Sequence, residues 1–259
     1  MWLEDYHFDG LRIDAVHAIV DTSAIHFLEA LAGEVCALEA HLGRHLVVIA
    51  ESDLNDPRVV RAPEIGGYGL DAQWNEDFHH ALHAALTGES GGYYEDFGAV
   101  ADLAAALTRG LVYDGRYSRY RGRSHGRPAT DLPGSRFVGC LQNHDQVGNR
   151  ATGERSAQLL STGLLKVGAA LVLTAPFVPL LFQGEEWARI RHFCTSPTTR
   201  IPTSPRRYAR VGAVSSPPAA GTRHAFRIRR RRRRSGAPAS IGISRRVSRT
   251  RVCCAGTGS

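Results

Sequence analysis

Three carboxylates in this sequence stand just behind apolar runs. Asp14 follows Phe8 to Ile13, Glu51 follows Leu46-Val47-Val48-Ile49-Ala50, and Asp145 lies a few residues after Phe137 to Leu141. A carboxylate at the end of a buried strand is partly desolvated, which is unfavourable unless something uses the group. Two such acids facing one another can cleave a glycosidic bond. One attacks the anomeric carbon as a carboxylate, and the other protonates the leaving oxygen and then activates water. On spacing alone a plainer reading has equal weight: each acid caps a helix or forms a surface ion pair.

The elements that would position these acids alternate. Leu46 to Ala50 is continuously apolar, the pattern of a parallel strand covered on both faces, and Phe137 to Leu141 and Val178 to Phe182 are similar. Phe8 to Ile13 is a weaker strand with Gly10 inside it. Between them, Ala24, Phe27, Leu28, Leu31, Val35, Leu38 and Leu42 repeat every three or four residues after the capping candidates Asp21, Thr22 and Ser23, and Gly43 stands where a helix stops. Phe78, Leu82, Ala85 and Leu86 form a second face closed by Gly88, and Leu160, Leu164, Val167 and Leu171 form a third. This order predicts an α/β chain of βα units around a parallel sheet. Polar clusters behind several strands, with Gln183-Gly184-Glu185-Glu186 behind the last, suit a (β/α)8 barrel, whose chemistry sits at the strand C-termini. An open dinucleotide-binding sheet would want G-x-G-x-x-G after its first strand, and the sequence has none.

The residues around the three acids narrow the chemistry. Asp9-Gly10-Leu11-Arg12-Ile13-Asp14-Ala15-Val16-His17, Ala50-Glu51-Ser52 and Gln142-Asn143-His144-Asp145 resemble, in order, three sequence regions of the α-amylase family of glycoside hydrolases. Ala50 to Val60, Gly66 to Leu86 and Gly139 to Ala151 are similar to the members that release trehalose from maltooligosyl-trehalose. The resemblance runs from about Met1 to Ala188 and implies a retaining hydrolase acting on the α-1,4 bond next to the trehalose end. It implies Asp14 as nucleophile, Arg12 as its charge-assisted partner, Glu51 as general acid and base, and Asp145 as a ligand of sugar hydroxyls. His144 and Asn143 stand beside Asp145 as sugar ligands, His17 would line a subsite, and Trp74, Tyr68 and Tyr93 are candidates for stacking on glucose faces, with a plain packed aromatic as the equally weighted reading of each. No cofactor and no metal are implied. The resemblance further implies a partial barrel of about strands four to eight in residues 1–188, because the region expected after a third strand has no counterpart. Other enzymes of the family, branching, debranching or maltooligosyl-trehalose-forming, would share the carboxylates.

Other signals carry less. His79 and His83 have a zinc pair's spacing without the intervening metalloprotease Glu, and read as a helix face. Gly66-Gly67-Tyr68-Gly69 reads as a shaped loop, and Arg116 to Arg127, with five Arg, as a solvated loop. The net charge of +7 conceals two halves. Residues 1–188 hold 14 basic and all 25 acidic residues, whereas residues 189–259 hold 18 Arg and no acid or Leu. That second stretch is expected to be disordered and is read as out-of-frame sequence; the rival reading is an Arg-rich arm binding nucleic acid. Cys36 and Cys140 read as reduced core residues of a cytoplasmic protein. With no apolar run of about 18 residues and acids close behind Met1, neither a membrane span nor a signal peptide is expected.

Overall fold

The structure, a computed structural model, describes residues 1–191 and 193. Apart from Arg189 to Arg191 and Phe193, the Arg-rich stretch and its expected disorder lie outside the described residues. In chain order the helices and strands are β1 (Gly10–Ile13), α1 (Phe27–Leu42), β2 (Val47–Ala50), β3 (Ala72–Trp74), α2 (Glu76–Thr87), α3 (Val100–Arg109), β4 (Asp114–Ser118), β5 (Arg123–Gly126), β6 (Phe137–Gly139), α4 (His144–Gly148), α5 (Ser156–Leu159), α6 (Thr162–Thr174) and β7 (Val178–Pro179). Five strands form one parallel sheet in the order β1-β2-β3-β6-β7. Their C-terminal ends therefore share one edge of the layer, and the residues that follow them meet there.

Local chemistry sets the boundaries. α1 starts at Phe27, three residues later than its apolar repeat, because the cap is built from two side chains. His26 accepts from the Leu28 amide at 3.2 Å, and Asp21 reaches across to the Phe27 amide at 2.6 Å. Gly43, at φ 63°, ends the helix in the left-handed conformation that suits glycine. Asn75 caps α2 through the Phe78 amide at 3.0 Å, and Gly88 closes it. The glycine inside β1 has a packing reason: a Cβ on Gly10 would lie 2.5 Å from the Val47 carbonyl oxygen on β2.

Two apolar clusters support the sheet. Leu28 and Val35 of α1 pack with Leu46, Val48, Ala50, Val59, Val60 and Leu70. Phe78 and Leu82 of α2 pack with Leu111, Tyr113, Phe137, Leu141 and Phe177. Each fully buried side chain of this size contributes about 1.5–3 kcal/mol.

The fold departs from the sequence reading at four places. Arg116 to Arg127 is an antiparallel hairpin, β4 with β5, and not a loop. Its arginines reach acids on other segments, Arg116 to Asp102 at 3.0 Å and Arg121 to Asp53 at 3.0 Å, so alternate residues can face inward. β7 is two residues long and stops before the rest of its apolar run. β3 is too short to show a pattern, whereas α3 carries an apolar repeat at Leu103, Ala106 and Leu107 that the sequence reading leaves out. In α6 the buried residues are Gly168 and Val172, whereas Leu164 and Val167 of the expected face are 39% and 47% exposed. Gly168 sets that rotation, since the helix packs there against Leu141 and Leu86. The glycine loop is shaped as expected, for a Cβ on Gly67 would lie 2.0 Å from the Arg61 carbonyl oxygen. No helix among the described residues is long and apolar enough to cross a membrane.

Candidate active site

The pairing of β1 with β2 continues past the strand ends. Glu51 N–H donates to the Ile13 carbonyl at 2.9 Å, and Val16 N–H donates to the Glu51 carbonyl at 3.0 Å. The two loops that carry Asp14 and Glu51 are thereby fixed to each other. Ala15 turns between them with φ 43° and ψ 49°, left-handed for a residue with a Cβ, which costs roughly 1–2 kcal/mol. What that conformation achieves is visible at once: the Ala15 N–H points at Glu51 and donates to Oε2 at 2.5 Å.

One guanidinium gathers the three acids. Arg12, the third residue of β1, donates through Nη1 to Asp14 Oδ1. Its Nη2 stands 3.7 Å from Glu51 Oε2 and 3.9 Å from Asp145 Oδ2. Its other face lies on the Trp74 ring at 4.4 Å from the centroid, a cation–π contact worth on the order of 0.5–2 kcal/mol. Trp74 ends β3, so β1, β2, β3 and the turn after β6 all converge on Arg12. His144 meets the edge of Trp74 at 6.0 Å and stands 3.4 Å from Asp145 Oδ1. The acids face water unequally: the side chains of Asp14, Asp145 and Glu51 are 78%, 50% and 17% exposed.

The remaining expected residues sort into three groups. His17 is one step out, its Nδ1 3.9 Å from Asp53, which Arg121 of the hairpin also grips. Asn143 points inward. It is 1% exposed, and its Oδ1 accepts from the Asp145 amide at 2.9 Å and the Gln146 amide at 3.4 Å. The amide expected to meet a sugar is instead spent on capping α4 and so on aiming Asp145. Tyr68 is not brought to the acids: its ring stacks on His26 at 4.4 Å and takes Arg58 at 5.9 Å. Tyr93 packs against His80 at 5.0 Å.

Beneath the acids lies a layer that the spacing did not reveal. Glu76, at the start of α2, has a 14% exposed side chain whose Oε2 accepts from Gln146 Nε2 at 2.9 Å. Burial first, and then the charges of Glu51 and Asp145, push its carboxyl up to about 8. His79 and His83 are buried around Tyr94: His79 Nε2 is 3.1 Å from the tyrosine hydroxyl, and the His83 ring stacks on it at 4.5 Å. His83 also bonds Glu89 at 2.8 Å, and Arg150 holds both Glu89 oxygens. In the turn six residues past the last strand, Glu185 is raised to about 7 by burial.

Comparison with known proteins follows the same lines. No protein-family model matches the chain. A malto-oligosyltrehalose trehalohydrolase of Arthrobacter ramosus is 54% identical over 187 residues, covering 72% of this chain and 32% of that protein. One of Mycobacterium tuberculosis is 49% identical over 205 residues, covering 77% and 35%. A solved structure from Salmonella typhimurium, assigned as an alpha amylase, is 40% identical with a TM-score of 0.68, over 74% of this chain and 33% of that one. The chain spans about a third of the length of the curated relatives it matches.

Proposed function

We propose, from the premise that this chain belongs with the malto-oligosyltrehalose trehalohydrolases of the α-amylase family, that its described residues carry the carboxylates of a retaining glycosidase that releases trehalose from maltooligosyl-trehalose in the cytoplasm. The five parallel strands are then the fourth to eighth of a (β/α)8 barrel, within residues 1–188. The observation that carries this reading is the single guanidinium of Arg12 shared by Asp14, Glu51 and Asp145.

In this reading Asp14, the most exposed of the three, attacks the anomeric carbon of the glucose next to the trehalose unit. Its Oδ forms a bond to that carbon as the glycosidic C–O bond breaks. Glu51 has Oε2 engaged by the Ala15 amide, so Oε1 is the oxygen that faces the leaving group and delivers its proton. Trehalose departs with that proton. Glu51, now a carboxylate, takes a proton from water, the hydroxide oxygen replaces Asp14 on the anomeric carbon, and the maltooligosaccharide is freed. Asp145 and His144 meet hydroxyls of the same sugar. Branching and debranching enzymes would share these acids, and the identity to the trehalohydrolases favours hydrolysis.

The test joins residues 1–188 to the portion of the Arthrobacter ramosus relative that lies outside the match and measures trehalose released from maltooligosyl-trehalose. Release is expected, and Asp14→Asn should lower it by at least ~10³-fold. The 259-residue chain by itself is expected to work far more slowly, since rate depends on holding these groups rigidly. A joined protein that releases no trehalose, or one indifferent to Asp14→Asn, would overturn the reading.

A further inference from the structure

Glu76 is a buried titratable group that the proposed chemistry leaves unused. An unbroken path of hydrogen bonds leads from it to Asp145. Gln146 Nε2 donates to Glu76 Oε2 at 2.9 Å, and Gln146 Oε1 accepts from the Asn143 amide at 3.0 Å. Asn143 Oδ1 then accepts from the Asp145 amide at 2.9 Å. The α4 turn, five residues long, is too short to hold its own shape, so these side-chain bonds decide where Asp145 sits.

We propose that Glu76 is a positioning residue: through Gln146 it fixes the Asn143–Gln146 turn on α2 and thereby keeps Asp145 beside Arg12. It does so as an uncharged acid. The charges that act most strongly on it are all acidic, Tyr93 also faces it, and the cations of this neighbourhood, Arg12 and Arg121, are engaged by Asp14 and Asp53. Asp77 and His80 lie on its own helix, Glu51 and Asp53 on the segment after β2, Asp145 on α4, and Cys140 just past β6. His80 Nε2 stands 3.9 Å away, but burial keeps that ring neutral, down at about 3. An anion at Glu76 would press on Glu51 and Asp145 from below. The neutral form accepts the same Gln146 bond without that repulsion. The inference rests on the glycosidase reading only in calling Asp145 part of the reacting centre.

The experiment needs no substrate, so a failed trehalose assay and a failed positioning result can be told apart. Amide hydrogen exchange at Asn143, Asp145 and Gln146 is followed in the 259-residue chain and in Glu76→Ala and Glu76→Gln. Glu76→Ala is expected to speed exchange at these three amides by about tenfold, with Val48 and other β2 amides unchanged. Glu76→Gln keeps an oxygen facing Gln146 and should stay close to the parent. If Glu76→Ala does not fold, Glu76→Met fills the space without an oxygen for Gln146 and is judged by the same criterion. Parent protection at the three amides in the variant that folds would overturn the proposal. Melting against pH tests the uncharged acid. A carboxyl raised from 4.5 to about 8 contributes stability that is lost as pH climbs from about 4.5 to 8, with no further loss from this group above. Glu76→Gln has no such slope, so its Tm advantage should widen across that window. A constant difference would overturn the uncharged form.

Discussion

The mouth of the sheet and the first two turns of α2 handle charge in opposite ways. At the mouth, three carboxylates share Arg12, and Asp14 and Asp145 remain half or more exposed to water. Just below, Glu76, Asp77, His79, His80 and His83 occupy a helix face that is almost wholly enclosed. Burial pushes all three histidines down, toward neutrality. Asp77 is held differently from its neighbour Glu76. Its Oδ2 accepts from the Val112 amide, the Tyr113 amide and Asn55 Nδ2, each at 2.7 Å. Burial raises its carboxyl, and these three bonds pull the other way. The contrast teaches that Asp14 and Asp145 sit where water reaches them, while the layer below encloses its acids and histidines and holds Asp77 with three hydrogen bonds.

The sharpest way to break that contrast is Asp77→Ala. The substitution leaves two buried backbone amides without their acceptor and Asn55 Nδ2 with the Tyr113 carbonyl at 3.3 Å alone. Unsatisfied buried donors cost about 1–3 kcal/mol apiece, so a loss of roughly 3 kcal/mol or more is expected. For a domain of this size that is about 6–12 °C in Tm by thermal melting. A loss below about 1 kcal/mol would mean that the α2 layer is not the support described.

A smaller effect is expected at Glu185, which lies on the boundary between the two regimes. Burial first, and Glu186 beside it, raise this acid from 4.5 to about 7, against the Phe182 amide that donates to it at 2.9 Å. The folded state therefore holds a proton that the unfolded chain releases, and the contribution of Glu185 to stability should fall as pH rises from about 4.5 to 7, then level off. Glu185→Gln should remove that fall, a difference of at most about 3 kcal/mol at neutral pH. Melting curves for the pair at pH 4.5 and 7.5 check it. Parallel behaviour at both pH values would put Glu185 with the exposed mouth acids instead.

The mouth was legible in the sequence and the support was not, for a physical reason. Arg12, Asp14, Glu51 and Asp145 each follow or sit in a short apolar run, and a parallel strand written as such a run announces where its C-terminal end lies. α1 and α2 were legible through period and glycine stops. β3 was not: Ala72–Trp74 is too short to alternate, so Trp74 was named as a stacking residue without the strand that delivers it to Arg12. The hairpin was hidden by its arginines, whose charge suggests solvent until Asp53, Asp96 and Asp102 are seen opposite them. Asn143 looked like a sugar ligand because its type is right for one. Only the φ and ψ of an N-cap turn its amide back on Asp145 and Gln146. Glu76 and Asp77 looked alike, two acids opening a helix, and their different partners come from segments 22 to 70 residues away in sequence.

The smallest stability change is expected where the largest loss of activity is. Asp14 is 78% exposed, and its ion-pair partner is Arg12, which keeps Glu51 and Asp145 near Nη2 and Trp74 under its face whether or not Asp14 carries charge. Asp14→Asn removes one of three acids crowded around one cation, and an exposed pair of this kind contributes about 0–1 kcal/mol. The lost attraction to Arg12 and the relieved repulsion from Glu51 and Asp145 oppose each other, so the net change should lie within about ±0.5 kcal/mol. That is on the order of 1–2 °C in Tm, measured beside Asp77→Ala under the same conditions. A fall in Tm comparable with that of Asp77→Ala would show that Asp14 is a structural acid, and the division of labour between mouth and support would have to be redrawn.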